Sequence, residues 1–98
     1  FVFDDIARLT DREIKELAED VGLKDFAMAL KGASEEAQNR VFDVYGEEKS
    51  KQIKQDMKHS GPTLMEDVEA VQLRVVRKVR EFEAQGKITI SPRARVYV

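Results

Sequence analysis

Between residues 64 and 85 the apolar positions Val68, Val71, Val75, Val79 and Phe82 recur at spacings of three and four, and Leu73 and Val76 widen the stripe. Spacing of this kind puts the positions on one face of a helix, and a stripe this wide belongs in a core. The rhythm is thinner upstream. Residues 35–45 offer Ala37, Val41, Val44 and Tyr45 with Phe42 beside them, whereas residues 47–59 offer only Ile53 and Met57. The latter segment therefore reads as a surface helix with a narrow inward seam. Two further helices are expected over 11–20 and 24–31, and FVFDDIARL reads as a short helix near 4–9. After Gly86 the period falls to two, with Ile88 and Ile90, a Ser91-Pro92 turn, then Val96 and Val98, which suits a small hairpin. The expectation is an all-α compact bundle of about six helices around one long C-terminal helix, with room for a short terminal hairpin. On that reading Val75→Asp should unfold the domain.

Helix punctuation divides the chain at the same places. Thr10 with Glu13 forms a capping box, and Thr63 with Glu66 is expected to form a second after the Gly61-Pro62 break. Gly22, Gly46 and Gly86 close helices. In FAMALKGASEE, residues 26–36, Gly32 is expected to take the left-handed turn that ends one helix. Lys31 then lies at the negative end of that helix dipole, Ser34 caps the next helix, and Glu35 and Glu36 occupy its positive first turn.

Composition narrows the class. Ninety-eight residues, 42% of them apolar and 37% charged, suit one folded domain, read here as a unit over 1–98 taken from a longer chain. With no cysteine there is neither a disulfide nor a thiolate metal site, and the cytoplasm is the expected compartment. No apolar run is long enough for a membrane span, and the acidic start does not resemble a signal peptide. A net charge of -2 gives no overall reason to expect a polyanion partner. The charge is uneven, however: residues 1–23 are acid-rich, and Arg74, Arg77, Lys78, Arg80, Lys87, Arg93 and Arg95 make the other end basic.

Candidate chemistry is sparse. His59, the sole histidine, lies near the end of a lysine-rich helix with no second histidine to share a metal. No nucleophile elbow, P-loop or HExxH pattern occurs, and acid pairs such as Glu47 and Glu48 sit at helix termini where acids are common. No enzyme, cofactor or metal is expected. Arg74, Arg77 and Lys78 suggest a nucleic-acid face, but they interleave with the valines of the core helix. GEEKSKQIKQDMKHSG, residues 46–61, is the remaining candidate, and its plainest explanation is a solvated, solubilising face.

FVF, ALKGASEE, a charged helix ending KQDM, the GP break, DVE and a long helix running to EAQGKITI together resemble the C-terminal domain of the flagellar motor switch family, FliG. The resemblance covers nearly all of the chain. It implies a domain at the rotor edge, in the cytoplasm against the inner membrane, whose charged helix faces the cytoplasmic loop of the stator protein MotA to transmit torque and support switching. Other implied partners are FliM and a neighbouring FliG middle domain. Phe1, Val2 and Phe3 resemble the end of the family's Met-Phe-X-Phe hinge. By position, the family lysine after Ala-Leu falls on Lys31 and the second acid of the charged helix on Asp56. Glu48 stands where the family usually has arginine, Gln55 where it has the first acid, and Leu64 where it has arginine after Gly-Pro-Val. Lys49, Lys51 and Lys54 lie within a helical turn or so and are candidates to restore the lost positive charge. The alternative implication is a divergent paralogue with a structural role in the rotor. Reversing Lys31, Lys51 and Lys54 together is expected to leave the domain folded and stop swimming.

Overall fold

The computed structural model describes residues 1–88. Among them the chain forms a 3₁₀ helix, Phe3–Arg8, and four α-helical elements: α1, Asp11–Val21; α2, Leu23–Leu30; α3, Glu35–His59; and α4, Met65–Ala84. No strand occurs among the described residues. The hairpin expected from Ile88 to Val98 lies outside them except for Ile88 itself, which is buried in the core.

Local chemistry accounts for most of the boundaries. Thr10 Oγ1 accepts from the Glu13 amide at 3.2 Å, and the Glu13 carboxylate accepts from the Thr10 amide at 2.9 Å, completing the expected box. Ser34 Oγ accepts from the Ala37 amide at 3.2 Å, and the Asp4 carboxylate accepts from the Ser34 amide at 3.0 Å, fastening the 3₁₀ turn to the start of α3. At the end of α4 the Gly86 amide donates to Glu83 O at 3.0 Å and the Lys87 amide to Phe82 O at 2.8 Å, the two bonds of a Schellman turn.

Element α3 is two helices in one run. Gly46 at φ 76°, ψ −179° interrupts the helical backbone, so residues 35–45 and 47–59 diverge, as the glycine there suggested. Ser50 Oγ spans the break by donating to the Phe42 carbonyl at 2.8 Å, which satisfies the one polar residue that is buried among the described residues.

The most enclosed element is α2. It packs against α1, α3 and α4, and Phe26, Ala27, Ala29 and Leu30 are all buried. Phe26 meets Phe3 with ring centroids 6.2 Å apart at a tilted 56°, a favourable aromatic geometry. From α4 come Val68, Val75, Val76, Val79 and Phe82, with Val71 packed at the margin.

Three expectations need correction. Leu73 does not widen the buried stripe: it is 49% exposed, on the outer side of α4. Thr63 and Glu66 form no capping box. Leu64 is the N-cap of α4, without a side-chain cap bond, because the Thr63 hydroxyl is engaged elsewhere. Gly32 is absent from the positive-φ glycines. Its requirement is space: a Cβ there would sit 2.8 Å from Val68 Cγ1 and 3.1 Å from Gln72 Nε2. In place of a left-handed turn, α2 ends under side chains from its neighbours, with Gln38 Nε2 donating to Leu30 O at 2.7 Å and Gln72 Nε2 to Ala29 O at 2.9 Å.

Candidate functional site: the charged helix 47–59

Two residues fix which way this helix faces. Ile53 and Ser50 are buried and Met57 is partly so, hence positions about half a turn away must point outward. Glu48, Lys51, Gln55 and His59 are all exposed there. Lys51, Lys54 and Lys58, spaced three and four apart, form a continuous exposed edge. The opposite flank carries Lys49 and the half-buried Asp56, which accepts from Gln52 Nε2 at 3.4 Å.

Aromatic rings hold two of the lysines. The Lys54 ammonium stands 4.7 Å from the Phe42 ring centroid and that of Lys49 stands 5.9 Å from Tyr45, so each stem covers apolar surface while the charge stays in water. Phe42 and Lys54 line two adjoining grooves. One, about 420 Å³, includes Asp43, Glu47 and Lys51; the other, about 280 Å³, includes Gln38, Met57 and Lys58. Asp56 instead borders a cleft of about 460 Å³ with Lys24, Asp25, Met28 and His59. The lysine edge and Asp56 thus serve different sides of the helix. Phe42 and Lys58 were not among the site residues expected from sequence. Lys58 is legible in hindsight from its spacing to Lys54, while Phe42 gave no signal beyond its apolarity.

Lys31 occupies a third position. Its ammonium donates to Ser60 Oγ at 2.9 Å, to Thr63 Oγ1 at 2.8 Å and to the Gly61 carbonyl. An ammonium has three donors, and all are engaged by the loop joining α3 to α4. Lys31 is half-buried, and its reversal would remove these bonds, against the expectation that reversing it leaves the fold untouched.

The supposed hinge residues are anchored unequally. Phe3 is buried, Phe1 packs against the core, and Val2 is 65% exposed. On the basic side of α4, Arg74 pairs with Asp25, and Lys78 pairs with Asp20 at 3.1 Å and Glu81 at 2.9 Å, whereas Arg77 and Arg80 are exposed and form no ion pair among the described residues. The bonds to Glu81 and then Asp20 hold the Lys78 ammonium above its ordinary pKa. The Tyr45 phenol is also raised, chiefly by burial and secondarily by Glu19, and its hydroxyl has no hydrogen-bond partner among the described residues.

Among the described residues no group of three or more His, Cys, Asp or Glu could hold a metal ion, and no helix is long and apolar enough to cross a membrane. Curated relatives include the flagellar motor switch protein FliG of Thermotoga maritima, 35% identical over 93% of this chain and 27% of its own length. That of Bacillus subtilis is 38% identical over 93% of this chain and 27% of its own. The chain therefore spans about a quarter of the length of these relatives. Full-length FliG from Aquifex aeolicus superposes with a TM-score of 0.81 at 31% identity, over 91% of this chain and 28% of that one. A crystal structure of Helicobacter pylori FliG gives a TM-score of 0.83 over 91% of this chain and 39% of that one, at 24% identity, a likeness of fold. The family model described as the FliG C-terminal domain matches residues 1–90, and the chain belongs to that family.

Proposed function

We propose that this domain is a component of the flagellar rotor and switch, and that it works by contact rather than by catalysis. The observation that carries the reading is the exposed row Lys51, Lys54 and Lys58, on a helix that the Gly46 break sets apart from the first half of α3. A positive edge of this kind suits a partner that presents carboxylates on a short helix or loop. The cytoplasmic loop of the stator protein MotA is the assignment, with Asp56 and Lys49 addressing its opposite side. Repeated charge contacts steer approach and set on-rate more than they add affinity, which fits a surface that must engage and release. The domain would stand at the cytoplasmic face of the inner membrane. FliM and the neighbouring FliG middle domain would be reached through the rest of the protein, with Phe1 to Phe3 at the hinge.

The test is Lys51→Glu with Lys54→Glu in the full-length gene as the sole copy. Cells should build flagella but not swim, and charge reversal in the stator loop should restore part of the motility. Normal swimming would remove the stator assignment. Lys31 is left out, because its loop contacts would confound the result.

A second reading has its own support. Glu48 and Gln55 are exposed, so their departures from the family pattern change the surface itself. A divergent paralogue holding a place in the rotor would keep the fold and carry such a surface. It predicts that deletion of this gene leaves torque intact wherever a second copy exists.

A further inference from the structure

Among the described residues the outer face of α4 is unpartnered, and it is oddly regular. Glu66, Glu69, Leu73, Arg77 and Arg80 are all exposed and follow one another at spacings of three, four, four and three, which keeps them on one stripe. Leu73, 49% exposed, is at the middle. The acids lie on one side of it and the bases on the other. None of the four charged groups forms a hydrogen bond or ion pair among the described residues, unlike Arg74 and Lys78 on the inner flank. Glu66 and Glu69 repel each other across one turn, as do Arg77 and Arg80, and Glu69 is about 12 Å from Arg77, too far to pair within the helix.

We propose that this face binds a second copy of the same chain, with the two α4 helices antiparallel about a twofold axis at Leu73. The stripe reads as its own complement when reversed. Glu66 then faces the second copy's Arg80 and Glu69 its Arg77, each pair occurs twice, and Leu73 meets Leu73. Antiparallel alignment also opposes the two helix dipoles favourably. The contact is isologous, so it closes at two copies and does not by itself build a ring. One face of a helix about 30 Å long falls short of a standard interface, so the dissociation constant should lie in the range of about 0.1 to 1 mM.

Sedimentation equilibrium of this chain up to millimolar concentration tests the contact. The expected result is a monomer–dimer equilibrium that weakens as salt is raised from about 0.1 M to 1 M. Either Glu66→Lys with Glu69→Lys, or Arg77→Glu with Arg80→Glu, should lower the association constant about tenfold or more, and mixing the two variants should recover the dimer. Because the chain has no cysteine, Leu73→Cys gives a second reading: it should cross-link under mild oxidation several times faster than Ala84→Cys, which lies off the axis. A wild-type chain that stays monomeric throughout, a dimer untouched by both charge variants, or equal cross-linking at the two cysteines would overturn the proposal. The first of these outcomes would leave the face to a different occupant.

Discussion

Lys31 shows how one side chain can hold a charge and a loop together. Replacing it with methionine keeps the stem but removes three donors to Ser60, Gly61 and Thr63. The expected cost is about 1 to 3 kcal/mol, read as a lower urea midpoint, whereas Lys51→Met should stay within about 0.5 kcal/mol. Equal midpoints for the two variants would show that the loop does not depend on Lys31. Gly46 tests the backbone in the same way. Its φ of 76° with an extended ψ is a region open in practice to glycine alone, so Gly46→Ala should cost about 1 to 3 kcal/mol. Tyr45→Phe should go the other way, leaving stability unchanged or slightly raised, because it deletes a buried hydroxyl with no partner among the described residues. The sequence made Ser34 and the Thr10–Glu13 box legible because donor and acceptor lie within one turn of each other. It hid the fate of Thr63, whose hydroxyl is claimed by a lysine 32 residues away. Gly32 was legible as a helix end but not as a close approach, since Val68 is brought to it only by tertiary packing.

At the scale of elements, the junctions carry the titration behaviour. Lys78 on α4 links Asp20 of α1 to Glu81 of its own helix, and its folded pKa is raised above the unfolded value of about 10.4. Its contribution is complete below that value and is lost as pH rises through the folded pKa. The Tyr45 phenol is raised as well, so above about pH 10 the unfolded state releases its proton first and is favoured. Both shifts have the same sign. Urea midpoints should therefore fall between pH 9 and 11, and Lys78→Met with Tyr45→Phe should flatten that fall. An unchanged slope in the double variant would mean that neither group contributes. Periodicity located the two halves of α3 and the glycine between them because a thin stripe of Ile53 and Met57 differs visibly from the richer one before it. It misjudged Leu73, since an apolar residue at the edge of a wide stripe carries no mark of which side it faces.

For the molecule as a whole, Val75 is the sharpest test of the core. It is fully buried on the helix that lies against α1, α2 and the 3₁₀ turn. A carboxylate there would cost several kcal/mol out of a total stability of about 5 to 15, so Val75→Asp should lose its cooperative thermal transition by circular dichroism. A soluble variant that still melts cooperatively would contradict the packing. The charged helix was legible as a surface element because it has so little to bury. Which of its lysines share an edge required the direction that Ser50 and Ile53 impose. The loop clamp also has a genetic consequence. If Lys31→Glu abolishes motility by releasing residues 60–63, second-site revertants should arise inside this gene, at acceptors such as Ser60 or Thr63 that can re-engage the altered side chain. Revertants of Lys51→Glu with Lys54→Glu should arise in the gene of the partner instead. The location of suppressors would then distinguish a residue that holds the domain together from those that meet what lies outside it.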